Sequence, residues 1–219
     1  MSIADNLSSI KAGLPSKVTL VAVSKTKPVS ELMEAYEAGQ RLFGENKIQE
    51  MAEKHDAMPK DIEWHMIGHV QTNKVKYMAS FVNLVHGVDS FKLLEEINKQ
   101  AKKNNRVIDC LLQVHIAEEE TKFGLDEPEL ETLLASESLK SLQNICIKGL
   151  MGMATFTENE SQIRKEFSFL KSLFDKYSKF QILNSKFSIL SMGMSGDYKT
   201  AIECGSTMVR IGSSIFGGR

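Results

Sequence analysis

A chain of 219 residues is long enough to bury one substantial core, so we expect a single domain over residues 1–219. Its 27 Lys and Arg residues against 28 Asp and Glu residues provide no charged field for nucleic acid or an anionic membrane, which favours a small-molecule partner. The three cysteines have no Cys-x-x-Cys spacing, which argues against a disulfide framework or a thiolate zinc site. With no apolar signal segment or membrane-spanning run, the composition predicts a cytoplasmic protein.

Short apolar runs, each followed by an amphipathic segment, recur along the chain. The runs that predict strands are residues 18–24, 41–44, 62–68, 83–88, 107–117, 146–154, 188–194 and 208–213. The segments that predict the helices after them are residues 28–39, 45–58, 71–80, 89–105, 126–137, 158–180, 195–205 and 214–219. In the first of these helices we expect Ser30 at the N-cap and Gly39 at the end, and we expect Ser195 to start the seventh.

Eight strand-then-helix units predict parallel strand pairing with right-handed crossovers. The repeat number favours a single (β/α)8 TIM barrel, compact for that fold, with an extra N-terminal helix. An open doubly wound sheet is the alternative. No G-x-G-x-x-G or Walker sequence follows the first strand, so dinucleotide or nucleoside triphosphate binding there has no support.

In a barrel the functional side chains lie at the carboxyl ends of the strands. That rule selects Ser24, Lys25, Gly44, Glu45, Asn46, His65, Gly68, His69, Met151, Met153, Ser191, Ser195, Arg210, Gly212 and Ser213. His65 and His69 belong to a strand and its turn rather than to one helix face, so zinc is not expected. The chain also lacks the G-x-S-x-G sequence of serine hydrolases.

Lys25 follows directly after the buried run of the first strand, at the rim of an apolar core. Removal from water there favours the neutral amine, which is the nucleophilic form toward a carbonyl. The alternative is a lysine that extends to solvent at a strand end. The sequence of this segment by itself leaves both open, with the solvated lysine favoured.

The segment MVRIGSSIFGG indicates an anion site after the last strand. Gly212 and Ser213 lie between a strand and a helix start, where backbone N–H groups point toward a bound phosphate, and the Ser195 hydroxyl can contribute. An ordinary N-cap is the alternative for Ser195. The side chain of Arg210 alternates with Val209 and Ile211, so we expect it inside the barrel, either in an ion pair or as a donor to a ring nitrogen of a ligand.

Six ordered segments resemble one known family. VAVSKTKP, FGENKIQE, WHMIGHVQTNKVK, GLMGMAT, LSMGMSGDYKTAI and VRIGSSIFGGR are similar to the pyridoxal phosphate homeostasis proteins, small relatives of the alanine racemase barrel. The resemblance runs from about Val18 to Arg219. It implies a fold-type III barrel that binds pyridoxal 5'-phosphate (PLP), with Lys25 holding the cofactor as a Schiff base.

The resemblance also implies roles for the other residues. Ser195, Gly212 and Ser213 would bind the phosphate, Arg210 would face the pyridine nitrogen and Asn46 would line the pocket. The family often has Thr where this chain has Ser213, which preserves the hydroxyl. Lys74 is a family feature that we expect at the rim or on a solvated face.

An arginine can donate a hydrogen bond to the pyridine nitrogen but does not give up its proton. The nitrogen therefore stays unprotonated, and the ring accepts electrons poorly. The chain ends directly after the barrel, and we expect no second domain with a further acid/base group. We therefore expect a non-catalytic, monomeric PLP carrier that serves PLP-dependent apo-enzymes. The alternatives are a weak amino-acid racemase or lyase and an aldolase-type phosphosugar barrel.

Overall fold

The structure is a computed structural model that describes residues 2–119, 123–179 and 186–218. The strands are β1 (Thr19–Val23), β2 (Leu42–Glu45), β3 (Glu63–Met66), β4 (Leu84–Val88), β5 (Ile108–Gln113), β6 (Ile145–Met151), β7 (Ile189–Ser191) and β8 (Met208–Ile211). The α-helices are α1 (Ile3–Gly13), α2 (Val29–Glu37), α3 (Ile48–Ala57), α4 (Phe91–Lys103), α5 (Glu127–Ala135), α6 (Glu160–Tyr177), α7 (Tyr198–Glu203) and α8 (Ser213–Phe216). Two 3-10 helices cover Thr72–Tyr77 and Glu137–Ser141. In the described ranges, no helix has the length and apolarity needed to cross a membrane.

Each strand pairs in parallel with the next one, and β8 pairs with β1. The sheet is therefore a closed barrel, as predicted, and the open-sheet alternative is wrong. Helix α1 precedes β1, which confirms the extra N-terminal helix. The carboxyl ends of all eight strands consequently open toward one mouth.

Alternate residues of the strands belong to two apolar clusters. Val209 and Ile211 belong to the large cluster that packs strands against helices. A small second cluster is formed by Val21, Leu84, Leu111, Met151 and Met208. Because strand side chains alternate between faces, Arg210 lies on the same face as this inner cluster, where it is only 3% exposed. The prediction that Arg210 points into the barrel is confirmed.

Three local predictions are wrong. Helix α2 begins at Val29 with Pro28 in the N-cap position, because the fixed φ of proline suits a helix start, so Ser30 lies inside the first turn. Residues 72–77 form a 3-10 helix rather than an α-helix. Helix α7 begins at Tyr198 after Asp197, and Ser195 lies in the preceding loop.

The Gly39 prediction is confirmed, since Gly39 follows the C-cap of α2 with φ +87°.

Several strands are shorter than their apolar runs predict. Strand β5 ends at Gln113 rather than at residue 117, and β6 ends at Met151 rather than at residue 154. The chain continues from these ends into loops, of which Phe123, Met153 and Ala154 line a cavity at the barrel mouth. Phe180, in the predicted sixth helix, and Arg219, in the predicted eighth, lie outside the described residues.

A glycine allows the close approach of β6 and β7. Strand β6 is irregular before Gly149, which has φ +155°. A Cβ at this position would lie 1.8 Å from the carbonyl oxygen of Ile189. Gly149 is therefore required both by its backbone conformation and by the strand spacing.

Candidate functional site

A cavity of about 540 Å³ opens at the carboxyl ends of the strands. Its lining includes all six residues that the sequence proposed for cofactor binding: Lys25, Asn46, Ser195, Arg210, Gly212 and Ser213. They come from β8, from the loops after β1, β2, β7 and β8, and from the first residue of α8. Closure of the barrel thus brings together residues that are up to 188 positions apart, Lys25 to Ser213 (213 minus 25).

Lys25 and Lys27 have different environments although both follow β1. Lys27 Nζ donates to the carbonyl oxygens of Phe216 at 2.9 Å and Gly218 at 3.3 Å, and it lies 3.4 Å from a carboxylate oxygen of Glu31. Lys27 therefore anchors the end of α8. Lys25 is half-buried and lines the cavity, and its Nζ has no hydrogen-bond or ion-pair partner within the described part of the chain.

Hydrogen-bond donors cluster where β8 passes into α8. The Gly212 N–H donates to Ser195 Oγ at 3.2 Å, which leaves the Ser195 hydroxyl hydrogen free to donate elsewhere. The backbone N–H groups of Ser213 and Ser214, in the first turn of α8, find no acceptor among the described residues. Gly212 itself packs closely against β1, because a Cβ there would lie 3.0 Å from the Val23 carbonyl oxygen. The arrangement offers several donors to one anion.

Arg210 is held by neutral acceptors. Its Nη1 donates to Ser191 Oγ at 2.7 Å and its Nη2 to the Gly152 carbonyl oxygen at 3.1 Å. Burial lowers the pKa of Arg210 to about 10, opposed by the charge of Asp197, so the guanidinium is charged at neutral pH. A guanidinium has five N–H donors, so donors remain for a ligand in the cavity. Of the two expectations for Arg210, these contacts favour a ligand donor over an ion-pair partner.

A hydrogen bond from Arg210 begins a buried chain of polar groups. Because Ser191 Oγ accepts from Arg210, its hydrogen can be donated to His86 Nδ1 at 3.1 Å. His86 then carries its proton on Nε2 and donates to His65 Nδ1 at 3.1 Å. Burial lowers the pKa of His65 to about 4 and the pKa of His86 well below its usual value. Both imidazoles are therefore neutral at neutral pH, and each has one ring nitrogen that donates and one that accepts.

The outer rim of the cavity is aromatic and polar. His69 stacks on Phe123 with ring centroids 4.1 Å apart, and its Nδ1 lies 3.1 Å from Asp89 Oδ2. Gln113 Nε2 donates to the Phe123 carbonyl oxygen at 2.8 Å. Phe156 also lines the cavity and is 94% exposed. The rim is thus open to solvent at Phe156.

The strand-end rule selected more residues than the cavity uses. Gly68, His69 and Met153 line the cavity together with the six cofactor candidates. The remaining strand-end candidates, Ser24, Gly44, Glu45, His65, Met151 and Ser191, are buried and do not line it. Lys74 lies half-exposed in the 3-10 helix and is not a lining residue.

Sequence reasoning missed Gln113, Phe123 and Phe156. Gln113 ends β5, and the strand-end rule would have found it if applied to that strand. Phe123 and Phe156 lie in the loops after β5 and β6, beyond the strand ends that the rule selects. It also missed His86, whose signal is a single polar residue on the inner face of an otherwise apolar strand.

Within the described ranges, no three His, Cys, Asp or Glu side chains cluster as a metal site requires.

The chain is similar to known proteins over most of its length. The family model described as alanine racemase, N-terminal domain, matches residues 1–219. The pyridoxal phosphate homeostasis protein of Aquifex aeolicus is 42% identical over 201 residues, covering 91% of this chain and 86% of that protein. The protein of that name from Haemophilus influenzae is 39% identical over 206 residues, covering 92% and 85%.

Solved structures show the same fold. PipY of Synechococcus elongatus PCC7942, solved with PLP bound, is 34% identical with a TM-score of 0.89, covering 99% of this chain and 100% of that one. Alanine racemase from E. faecalis has a TM-score of 0.77 at 16% identity, and this chain covers 58% of it. The second likeness establishes the barrel fold alone.

The closed barrel and the family model together define a protein of the alanine racemase N-terminal barrel class. Two relatives that are more than 30% identical over most of both chains identify the family within this class. The chain belongs to the family of pyridoxal phosphate homeostasis proteins, which confirms the resemblance of its six sequence segments.

Proposed function

We propose that this chain binds PLP on Lys25 and acts as a non-catalytic carrier in the homeostasis of that cofactor. The observation that carries the proposal is the placement of Lys25. Its amine, without a protein partner among the described residues, lines the same cavity as the anion donors of α8. When bound, PLP supplies an aldehyde with which a primary amine condenses reversibly, releasing water.

The residues of the cavity fit this cofactor at both ends. The N–H groups of Ser213 and Ser214 and the hydroxyl of Ser195 offer donors to a phosphate. Lys25 offers an amine to the aldehyde, and Asn46 lines the space between β2 and the rim. A volume of about 540 Å³ lies within the range of small-molecule sites. The names of the curated relatives and the PLP-bound PipY structure support the same ligand.

Arg210 supports a carrier rather than an enzyme. The guanidinium can donate to a ring nitrogen but does not transfer a proton to it, so a pyridine nitrogen facing Arg210 stays unprotonated. Ser191 and Gly152 fix the guanidinium in place at 2.7 and 3.1 Å. An unprotonated ring accepts electrons poorly, which disfavours chemistry through a carbanion.

A PLP titration tests the binding proposal. Wild-type protein and Lys102→Ala, which replaces an exposed lysine of α4, are expected to develop a visible absorption band that saturates at one cofactor per chain. Lys25→Ala is expected to develop no such band. An equal band in Lys25→Ala contradicts the role of Lys25. A colourless wild-type protein would instead favour the alternative of an aldolase-type phosphosugar barrel.

A weak amino-acid racemase or lyase is the second candidate, and one observation favours it. His69 lines the cavity with its Nδ1 3.1 Å from Asp89 Oδ2, and an imidazole is the side chain that most often transfers protons in catalysis. Chiral chromatography of alanine and serine after incubation with loaded protein distinguishes the candidates. The carrier hypothesis predicts no racemisation or lyase turnover above that of a control with PLP alone. Turnover that is lost in His69→Gln contradicts it.

The carrier reading includes partners and location. We propose that PLP-dependent apo-enzymes receive the cofactor, that the carrier is a monomer, and that it works in the cytoplasm. Reversible condensation with Lys25 supports transfer, because an incoming amine can replace the lysine without a net change in the number of bonds.

A further inference from the structure

A cluster of buried charged groups lies directly beneath Lys25. Lys54, on α3, is 5% exposed, and Glu45 and Ser24 are fully buried. Lys54 Nζ lies 2.8 Å from Glu45 Oε1 and 2.7 Å from Glu50 Oε1. Ser24 Oγ donates to the same Glu45 oxygen at 2.6 Å. None of these residues lines the cavity, so the cluster does not itself contact a ligand there.

The cluster holds the backbone on both sides of Lys25. Lys54 Nζ donates to the Ser24 carbonyl oxygen at 2.7 Å. The Thr26 N–H donates to Glu50 Oε1 at 2.6 Å, the same oxygen that accepts from Lys54. One ammonium and one carboxylate thus fix the carbonyl group before Lys25 and the amide after it. Charged hydrogen bonds of this length are among the strongest in proteins.

The turn that is held in this way is strained. Thr26 has φ +64°, a left-handed conformation that a β-branched residue rarely adopts. Such a conformation persists only where surrounding contacts impose it, and it is found preferentially at functional sites. The Glu50 contact to the Thr26 amide is a contact of this kind. The strain therefore indicates that the surrounding contacts impose the backbone direction at Lys25, directly after the end of β1.

Burial of a charged side chain at this core position costs free energy. Lys54 occupies the buried face of α3 with Ile48 and Met51, where an apolar residue would avoid the desolvation of an ammonium. Burial also raises the pKa of Glu45, opposed by hydrogen bonds from Lys54 and Ser24. Glu45 Oε2 has no hydrogen-bond partner in the described part of the chain. A stability role alone does not account for such an arrangement, whereas a positioning role does.

We propose that Lys54 is a positioning residue for Lys25: together with Glu50 it locks the Ser24–Lys25–Thr26 turn so that the Lys25 amine lies in the cavity. The proposal rests on the proposed function for its consequence, because the positioned amine is the one that holds PLP. Lys54 is not a second PLP-binding amine, since its Nζ already has three acceptors.

Amide hydrogen exchange of the cofactor-free protein tests the lock. In Lys54→Met and in Glu50→Ala the Thr26 amide is expected to exchange about tenfold faster or more, while the Ser24 amide, which donates to the Gly44 carbonyl oxygen at 3.0 Å, is unchanged. Glu50→Gln, which retains an acceptor oxygen, is expected to restore Thr26 protection. Glu50 is partly exposed, so its variants remain informative if Lys54→Met does not fold.

A destabilised control separates positioning from general loosening. Leu94→Ala creates a cavity beneath α4, away from the site, and is expected to accelerate both amides together or neither. Accelerated exchange at Thr26 and Ser24 alike in the Lys54 and Glu50 variants overturns the lock. Unchanged Thr26 exchange in those variants overturns it as well.

PLP titration of the same variants tests the consequence. Lys54→Met and Glu50→Ala are expected to bind PLP about tenfold more weakly or worse, the scale of one lost charged hydrogen bond, with recovery in Glu50→Gln. Equal affinity in the variants and the wild type overturns the positioning role and leaves the proposed function intact. A wild-type protein that binds no PLP overturns the proposed function, while the exchange data still decide whether Lys54 holds the turn.

Discussion

The two buried histidines of the barrel predict a specific loss of stability in mild acid. Burial lowers the pKa of His65 from 6.5 to about 4, so the folded protein does not take up this proton until well below the pH at which the unfolded chain does. A depressed histidine pKa means that the unfolded state binds more protons between these values. The stability linked to His65 is complete above about pH 6.5 and is lost as the pH falls toward 4.

The magnitude follows from the width of that window. At about 1.36 kcal/mol for each unit of pKa, lowering the pH from about 7 to about 5 removes about 2 kcal/mol of unfolding free energy through His65 alone. His86, whose pKa is also lowered by burial and by neighbouring His65 and Arg210, adds to this loss. Glu45 acts in the opposite direction, because burial raises its pKa and its protonation on acidification favours the folded state.

Urea unfolding at several pH values measures this effect. The double variant His65→Leu/His86→Leu removes both titrating groups and both ends of their mutual hydrogen bond, so it isolates their contribution from that of Glu45. The stability difference between the wild type and the double variant is expected to change by at least about 2 kcal/mol between about pH 7 and about pH 5. Parallel pH profiles for the two proteins would refute the assignment of buried neutral imidazoles.

Four further substitutions follow from the site and the barrel. Ser195→Ala and Ser213→Ala are each expected to weaken PLP binding by about 1 kcal/mol without weakening binding of unphosphorylated pyridoxal, as measured by paired titrations. Gly68→Ala places a Cβ 2.5 Å from the Asn46 carbonyl oxygen, and a loss of about 1–3 kcal/mol in denaturant unfolding is expected together with weaker PLP binding. Gly149→Ala is expected to cost more than about 4 kcal/mol or to prevent folding, and circular dichroism of a fully native variant would contradict the close β6–β7 contact.

The barrel was predictable because its signals are local. Each strand is a short apolar run and each helix an amphipathic segment, so counting the units was enough to infer the closed sheet that the structure shows. The positions of Lys25, Gly212 and Ser213 at strand ends followed from that count. The failures at Ser30 and Ser195 concern the first residues of helices, whose positions are the part of a helix that a sequence pattern specifies least well.

The contacts that tune the site were not predictable from the pattern. Lys54 is a polar residue in the sequence, yet it is buried because Glu45, on β2, and Glu50, one turn earlier on α3, accept its ammonium. The chain from Arg210 through Ser191 to His86 joins three strands, so no single segment contains its signal. Such interactions depend on tertiary partners, which periodicity and spacing do not specify.

The most direct test of the central claim is chemical trapping of the cofactor. Protein loaded with PLP is reduced with borohydride, digested and analysed by mass spectrometry, with Lys27 and Lys54 as internal reference lysines. The account predicts one reduced PLP adduct per chain, located on Lys25. An adduct on Lys27, on Lys54 or on any other lysine, or no adduct at all, would contradict it.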